Sequence, residues 1–221
     1  MKGETYTKME QTIYNLKQYI LQEGYSKIGI AFGSAIVLYL LGFTFLAKVA
    51  FLVTVALLWI YRNNFSVSKN PINLANTLYA PIDGKIMSID TQDGVQKIYI
   101  DVDLCGSHIL RAPINGNYFI NLYQKGLNLS SWSFKSRALN NKAIVSFSEF
   151  DGSNTKMEII SGMCGSDIVL YNNIYQVNTR DRIGVFVQGT IVLEVASNYS
   201  VKVSIGDKVA GGISVIAGKI E

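Results

Sequence analysis

Histidine occurs once in the 221 residues, at His108, cysteine only at Cys105 and Cys164, and proline three times. One histidine and two distant cysteines assemble neither a common zinc site nor a Cys-x-x-Cys redox pair, so no metal is expected and the thiols are expected to be reduced in a cytosol-facing domain. Charge is also scarce. Only 16% of residues are charged, against about 25% in typical soluble domains, while 49% are hydrophobic and the mean hydropathy is +0.22. That balance argues against a wholly soluble or a disordered chain and for a membrane-attached one. The net charge of +4 comes from scattered lysines. Without a dense Arg/Lys stripe, no nucleic-acid partner is expected, and the charge suits an anionic lipid surface.

The missing charge is concentrated near the N-terminus. Ile28–Ala47 and, after Lys48, Val49–Tyr61 form an apolar stretch of 34 positions. As one helix it would be about 51 Å long, well beyond a hydrocarbon core of roughly 30 Å, so it must bend. The expectation is a helical membrane hairpin over 28–61, turning near Gly42 to Lys48, whose arms only just span or dip into one leaflet. Lys2, Lys8, Lys17 and Lys27 precede it and Arg62 and Lys69 follow it, placing both ends on the cytoplasmic side of the inner membrane. The rival is a single span at 28–47, which would export the rest of the chain. The run starts too late and is too long for a cleaved signal peptide. Residues 1–27 have the spacing of an amphipathic interfacial helix.

Asn64 to Thr77, with Pro71 and four asparagines, marks a linker over 62–77. From 78 to 221 the texture is short β-type runs separated by turn dipeptides: Asp83-Gly84, Asp93-Gly94, Asn115-Gly116, Asp151-Gly152 and Gly206-Asp207. The expected fold is therefore mainly β. The clearest strands are Ile86–Ile89, Lys97–Val102, Ala143–Phe147, Lys156–Ile160 and Ile191–Val195. Ala80–Ile86 and Val203–Val209 have the same flavour, as do the paired halves of barrel-sandwich folds.

Several segments carry a family resemblance in order and spacing. They are the apolar hairpin, Tyr61-Arg62-Asn63, Ala80-Pro81-Ile82-Asp83-Gly84-Lys85-Ile86, His108-Ile109-Leu110-Arg111-Ala112-Pro113-Ile114-Asn115-Gly116, and a Gly-rich tail. Together they resemble the short, membrane-anchored phosphatidylserine decarboxylases of archaeal and bacterial type, over nearly the whole chain to about Gly218. In that family a late Phe-Gly-Ser cuts itself to create a pyruvoyl group. Here Arg182–Thr190 matches the cleavage segment, with Gly189-Thr190 in place of Gly-Ser. Phe32-Gly33-Ser34 is a literal match, but it lies inside the apolar stretch and is discounted.

The resemblance implies a mechanism. The Thr190 hydroxyl would attack the preceding carbonyl, and elimination would leave a 2-oxobutanoyl group, a pyruvoyl-type ketone able to form a Schiff base with a serine headgroup and accept electrons as CO2 leaves. His108 would be the base and Asp83 its orienting carboxylate. The methyl of Thr190 stiffens χ1 relative to serine. Arg111 would bind a substrate carboxylate or phosphate, or else pair with a surface acid. Trp132, Phe134, Lys135 and Arg137 mix aromatics and cations as a lipid-contacting loop would, or as core aromatics beside a solvated edge would. Two further segments depart from the family: Asn140-Asn141-Lys142 stands for Asn-Glu-Arg, and Gly165–Val169 for Ala-Arg-Arg-Ile-Val.

The expected activity is thus conversion of phosphatidylserine to phosphatidylethanolamine at a phospholipid membrane. The alternative is an uncut relative serving as a membrane-bound lipid- or partner-binding module. A biotinyl- or lipoyl-type carrier is suggested by Val203 to Ala217, but no lysine stands at the tip of a hairpin in the usual setting. Whether the protein forms a homodimer is left open.

Overall fold

The computed structural model describes residues 20–62, 76–92, 95–130, 133, 135–149, 152–163, 168–171 and 175–220. The expected amphipathic helix before residue 20, most of the linker, Trp132, Phe134 and residues 164–167 lie outside this set. The chain forms two compact units, 1–65 and 66–221.

In the first unit, α1 (Gln22–Leu40) and α2 (Thr44–Ile60) form a hairpin. Its turn contains Gly42 at φ +84°, a left-handed conformation that glycine adopts without a Cβ penalty. The two ends meet where the Leu21 amide donates to the Tyr61 carbonyl (2.8 Å). Small buried residues bring the helices together: a Cβ on Gly24 would run into the Tyr61 ring, and Ala35, Ala47 and Thr54 are buried. The Lys27 ammonium donates to the Tyr61 hydroxyl (2.8 Å).

The hairpin and its turn are as expected, but the transmembrane reading of its arms is not supported. Neither helix is long and apolar enough to cross a membrane. At 1.5 Å per residue they are about 29 and 26 Å long. The first of them also spends its opening turns on Gln22, Glu23, Ser26 and Lys27, leaving a shorter apolar part.

The second unit contains β1 (Thr77–Tyr79), β2 (Gly84–Gln92), β3 (Val95–Val102), β4 (Ile109–Arg111) and β5 (Gly116–Gln124). A single helical turn, α3 (Ser136–Leu139), precedes β6 (Lys142–Ser148), β7 (Asn154–Ser161), β8 (Val169–Leu170), β9 (Gln176–Val177) and β10 (Arg182–Val185). Then come β11 (Gly189–Val195), β12 (Tyr199–Val201), β13 (Lys208–Val209) and β14 (Val215–Lys219). The mainly β expectation holds, and all five strands singled out from the sequence are present.

The barrel-sandwich expectation is corrected, because the sheets do not close into a barrel. They are open: β13-β2-β3-β11-β7-β6-β5-β9, β4-β10-β8 and β1-β14-β12. The two similar segments nevertheless meet. Lys208 pairs with Lys85 and Val209 with Gly84, and the Ile86 amide donates to the Asp207 carbonyl (2.9 Å).

Period-two alternation positions everything that follows. On β3, Ile98, Ile100 and Val102 are buried while Lys97, Tyr99 and Asp101 point the other way. On β11, Ile191, Leu193 and Val195 join the same core, which also takes in Leu110, Ala112, Ile183 and Phe186 from the small sheet and its flanks. Thr190, Val192 and Glu194 therefore share the outer face with Asp101, Tyr99 and Lys97, their partners in register. That face carries a charge ladder, with Lys97 and Lys156 on Glu194 (3.3 and 3.6 Å) and Lys142 and Arg137 on Glu158 (2.8 and 3.6 Å).

Candidate active site

Gly189 and Thr190 open β11 in the middle of the eight-stranded sheet. Gly189 adopts φ +144°, and a Cβ there would collide with the Ile160 carbonyl, the Gly162 amide nitrogen (2.8 Å) and the Phe186 ring (2.8 Å). Both the torsion and the crowding demand glycine. The carbonyl just upstream is fixed as well, since Gln188 O accepts from the Gly162 amide (2.9 Å). Thr190, half-buried, is flanked in register by Asp101 on β3 and Ile160 on β7.

His108 is fully buried at the entrance to β4. Its carbonyl accepts from the Phe186 amide (2.9 Å), and the Phe186 ring occupies the place a Cβ on Gly189 would take, so the histidine segment is tied to the short loop that leads into Gly189. Asp83 meets this segment through the main chain. Its Oδ2 accepts from the Ser107 amide and its Oδ1 from the Gly211 amide, both at 2.7 Å. A carboxylate between two amides ties the Asp83-Gly84 turn, the residue before His108 and the C-terminal strand region together.

Arg111, three residues beyond His108, pairs across β4–β10 with Arg182. Its Nη1 donates to the Arg180 carbonyl (3.0 Å). Burial lowers its pKa below the ordinary arginine value, the charge of Arg182 acts in the same direction, Asp83 opposes, Arg180 adds to the lowering and Asp181 opposes. Arg180 lies 4.6 Å from the Tyr79 ring centroid and Arg182 5.3 Å from that of Tyr171. Arg180 itself sits at φ +76°, a region that costs a non-glycine residue about 1–3 kcal/mol. The Asn178–Asp181 turn that imposes this torsion is fastened on both sides, by Arg180 N to Ala112 O and Ala112 N to Asp181 O (both 2.8 Å). Three guanidiniums on adjoining backbone, two of them directly cross-strand, repel one another and suit an anionic ligand.

The structure thus brings Asp83, His108 and Arg111 together with the Arg182–Gly189 segment. Lys135 and Arg137 lie elsewhere, around α3. Lys135 is exposed, and Arg137 lies over the outer sheet face, 5.6 Å from the Tyr99 ring and paired with Glu158. Trp132 and Phe134 are outside the described residues. Asn140 and Asn141, read from the sequence as a lost carboxylate, are buried braces. Asn140 exchanges hydrogen bonds with both the amide and the carbonyl of Leu129 and donates to Ser161 O. Asn141 accepts from the Gly126 amide and donates to Asn128. Since Ser161 is the register partner of Gly189, this bracing supports the strand against which the Gly189-Thr190 peptide lies.

Sequence reading missed Arg180, Arg182 and Asp101. The Arg-Asp-Arg triplet within Arg180–Arg182 was visible, but nothing linear connects it to Arg111. Asp101 looked like the polar alternate of a strand.

Comparisons with known proteins agree on one family. The phosphatidylserine decarboxylase family profile matches residues 59–217. A phosphatidylserine decarboxylase proenzyme of Pelagibacter ubique (strain HTCC1062) is 26% identical over 211 residues, covering 90% of this chain and 96% of the relative. Another phosphatidylserine decarboxylase proenzyme, from Geotalea uraniireducens (strain Rf4), is 24% identical over 205 residues, covering 89% and 95%. No solved structure matches.

Proposed function

Because this chain belongs to the phosphatidylserine decarboxylase family, a family of carboxy-lyases, we propose that it decarboxylates phosphatidylserine to phosphatidylethanolamine after cutting itself between Gly189 and Thr190. The observation that carries this reading is Gly189 itself. It is held at φ +144° where no side chain fits, directly before a hydroxyl-bearing residue.

The chain's own residues fit the formation of a keto group. The Thr190 oxygen attacks the Gly189 carbonyl carbon, the hydroxyl proton leaves, the Thr190 nitrogen gains one, and an ester replaces the amide. Loss of the Thr190 α-proton then expels the Gly189 carboxylate, and addition of water with release of ammonia leaves a 2-oxobutanoyl group on residue 190. That group supplies an electrophilic carbonyl that captures the substrate amine and takes up the electrons of the breaking C–C bond. His108 moves protons on the buried side of the peptide, with Asp83 fixing its segment through Ser107. Arg111, Arg180 and Arg182 hold the anionic groups of the lipid.

The membrane is reached by the helical hairpin. Phe32, Leu40, Leu41, Phe43, Phe45, Phe51, Leu52 and Trp59 are among its large apolar side chains left exposed, a surface far more apolar than water-facing helices carry. It dips into the cytoplasmic leaflet of the inner membrane.

A second reading has its own observation. Thr190 is laddered on both sides, as an ordinary strand residue would be, and an uncut chain would serve as a lipid-binding module. Intact mass of the detergent-extracted protein separates the two. Fragments 1–189 and 190–221, the latter lighter by one ammonia and reducible by borohydride, support the enzyme. A single full-length mass that borohydride leaves unchanged refutes it.

A further inference from the structure

The ladders on either side of β11 fix what the Gly189 carbonyl bonds to. Along an antiparallel strand a residue turns its N–H and C=O to one neighbour, and the next residue turns them to the other. On the β7 side Gly189 opposes Ser161, and the Gly162 amide donates to Gln188 O (2.9 Å). That bond lies one step outside the Gly189–Ser161 pair, so its companion in the ladder runs from the Thr190 N–H to Ile160 O. Across a trans peptide the Gly189 C=O points opposite to the Thr190 N–H, and it therefore faces β3. On β3, Val102 opposes Gly84 of β2, and the Asp103 amide donates to Asp83 O (3.1 Å). The Val102 N–H, one residue earlier, is thus turned to β11. Because Thr190 opposes Asp101, the Val102 N–H and the Gly189 carbonyl oxygen close the first rung of the β11–β3 ladder.

This rung is buried and held from both strands. Val102 and Gly189 are both buried, so a charge growing on the oxygen is felt at low dielectric by a donor already in place. The Asp83 carbonyl fastens the end of β3 through the Asp103 amide, while the Asp83 carboxylate accepts from the Ser107 amide beside His108. One residue thus sets both the strand that carries the donor and the histidine segment. On the β7 side, the Ser161 N–H donates to Asn141 O (2.9 Å), its carbonyl accepts from Asn140 Nδ2 (2.6 Å) and its hydroxyl donates to Asn128 Oδ1 (2.9 Å). The peptide between Gly189 and Thr190 is therefore gripped by two braced strands, with its oxygen kept on Val102.

We infer that the Val102 main-chain N–H is the oxyanion donor of self-cleavage, stabilising the charge that gathers on the Gly189 oxygen. The Thr190 oxygen bonds to the Gly189 carbonyl carbon, its hydroxyl proton leaves to the histidine proposed above, and the C=O π pair moves onto the oxygen that Val102 holds. That pair returns as the C–N bond breaks, and the departing nitrogen takes up the proton. The ester carbonyl so formed keeps the same donor. This inference rests on the self-cleavage reading above.

The test is cell-free synthesis of the full chain with phosphatidylglycerol vesicles, in which a suppressor tRNA places the α-hydroxy analogue of valine at position 102. An ester oxygen then replaces the N–H and the side chain is unchanged. The control is the α-hydroxy analogue of isoleucine at position 100, whose N–H closes the next rung, opposite Ile191. The ester at 102 is expected to slow the appearance of fragment 190–221 about 10²- to 10³-fold, and the ester at 100 to leave it near the natural rate. Cutting of the 102 ester at the natural rate overturns the inference while leaving the decarboxylase reading intact. Equal slowing by both esters also overturns it, since weakened strand pairing would then be the cause. A natural chain that stays whole removes both. A second measurement needs no backbone ester: in the uncut Thr190→Ala chain, hydrogen exchange read by NMR should find the Val102 amide as protected as that of Ile100. Exchange of Val102 at an unprotected rate overturns the inference.

Discussion

Gly189→Ala tests the geometry on which the proposed self-cleavage rests. At φ +144° an L-residue is strained by about 1–3 kcal/mol. Its methyl would also press on the Ile160 carbonyl and the Gly162 amide, backbone atoms of the neighbouring strand region that cannot rotate away. Overpacking of this kind costs typically a further 1–3 kcal/mol. Restriction of the unfolded chain returns about 0.4–1 kcal/mol. The expected net loss is about 2–4 kcal/mol, or roughly 1–2 M in urea midpoint at an m-value near 2 kcal/mol per M. Gly206→Ala is the internal control, because Gly206 has φ +96° but nothing within 4 Å of a Cβ, so only torsional strain applies and the loss should be about 1 kcal/mol. Urea titration of both variants, followed by far-UV circular dichroism, reads the difference. If G189A and G206A shift the midpoint equally, the crowding around Gly189 is not real, and glycine is required there for its torsion alone.

Tyr118 is buried with a hydroxyl that has no hydrogen-bond partner among the described residues, and burial pushes its pKa up to about 12. Tyr118→Phe is therefore expected to be neutral or to stabilise by about 1 kcal/mol at pH 7, measured by urea denaturation; a clear destabilisation would point to a bonded hydroxyl. Asn140→Ala removes three hydrogen bonds that hold Leu129 and Ser161 and should cost about 2–4 kcal/mol by the same assay. It should also slow formation of fragment 190–221. For Asp101 the linkage sign is set by its raised pKa: folding disfavours the charged form, so that group's unfavourable contribution is absent below about pH 3.8 and grows as pH rises through the folded pKa. Asp101→Asn should therefore be more stable than the natural chain at pH 7, with the gap closing toward pH 4. A pH-independent gap would contradict the burial of that carboxyl.

Much of this protein is written in short-range pattern. Lys97–Val102 alternates so regularly that its strand and its buried face follow from the residue order. The hairpin turn follows because the 34 positions of 28–61, apolar but for Lys48, exceed any helix a bilayer accommodates, and Gly42 supplies the bend. Asp83 and His108 were legible because each sits in a distinctive local segment. The reading of the helices as spans failed because hydropathy over a whole stretch does not say where a helix begins.

What local order cannot carry is register. Whether Asp101 opposes Thr190, or Arg182 opposes Arg111, is a matter of which residue of one strand lies beside which residue of another, and a slip of one position would turn every side chain to the other face. The same holds for Asn140 and Asn141, which meet Ser161 only when β6 and β7 pair. Residue order settled the strands and the turn chemistry, and it placed a glycine directly before a hydroxyl-bearing residue at 189–190. Tertiary packing alone, by burying one face of the large sheet, decided which charges stand around the Gly189-Thr190 peptide.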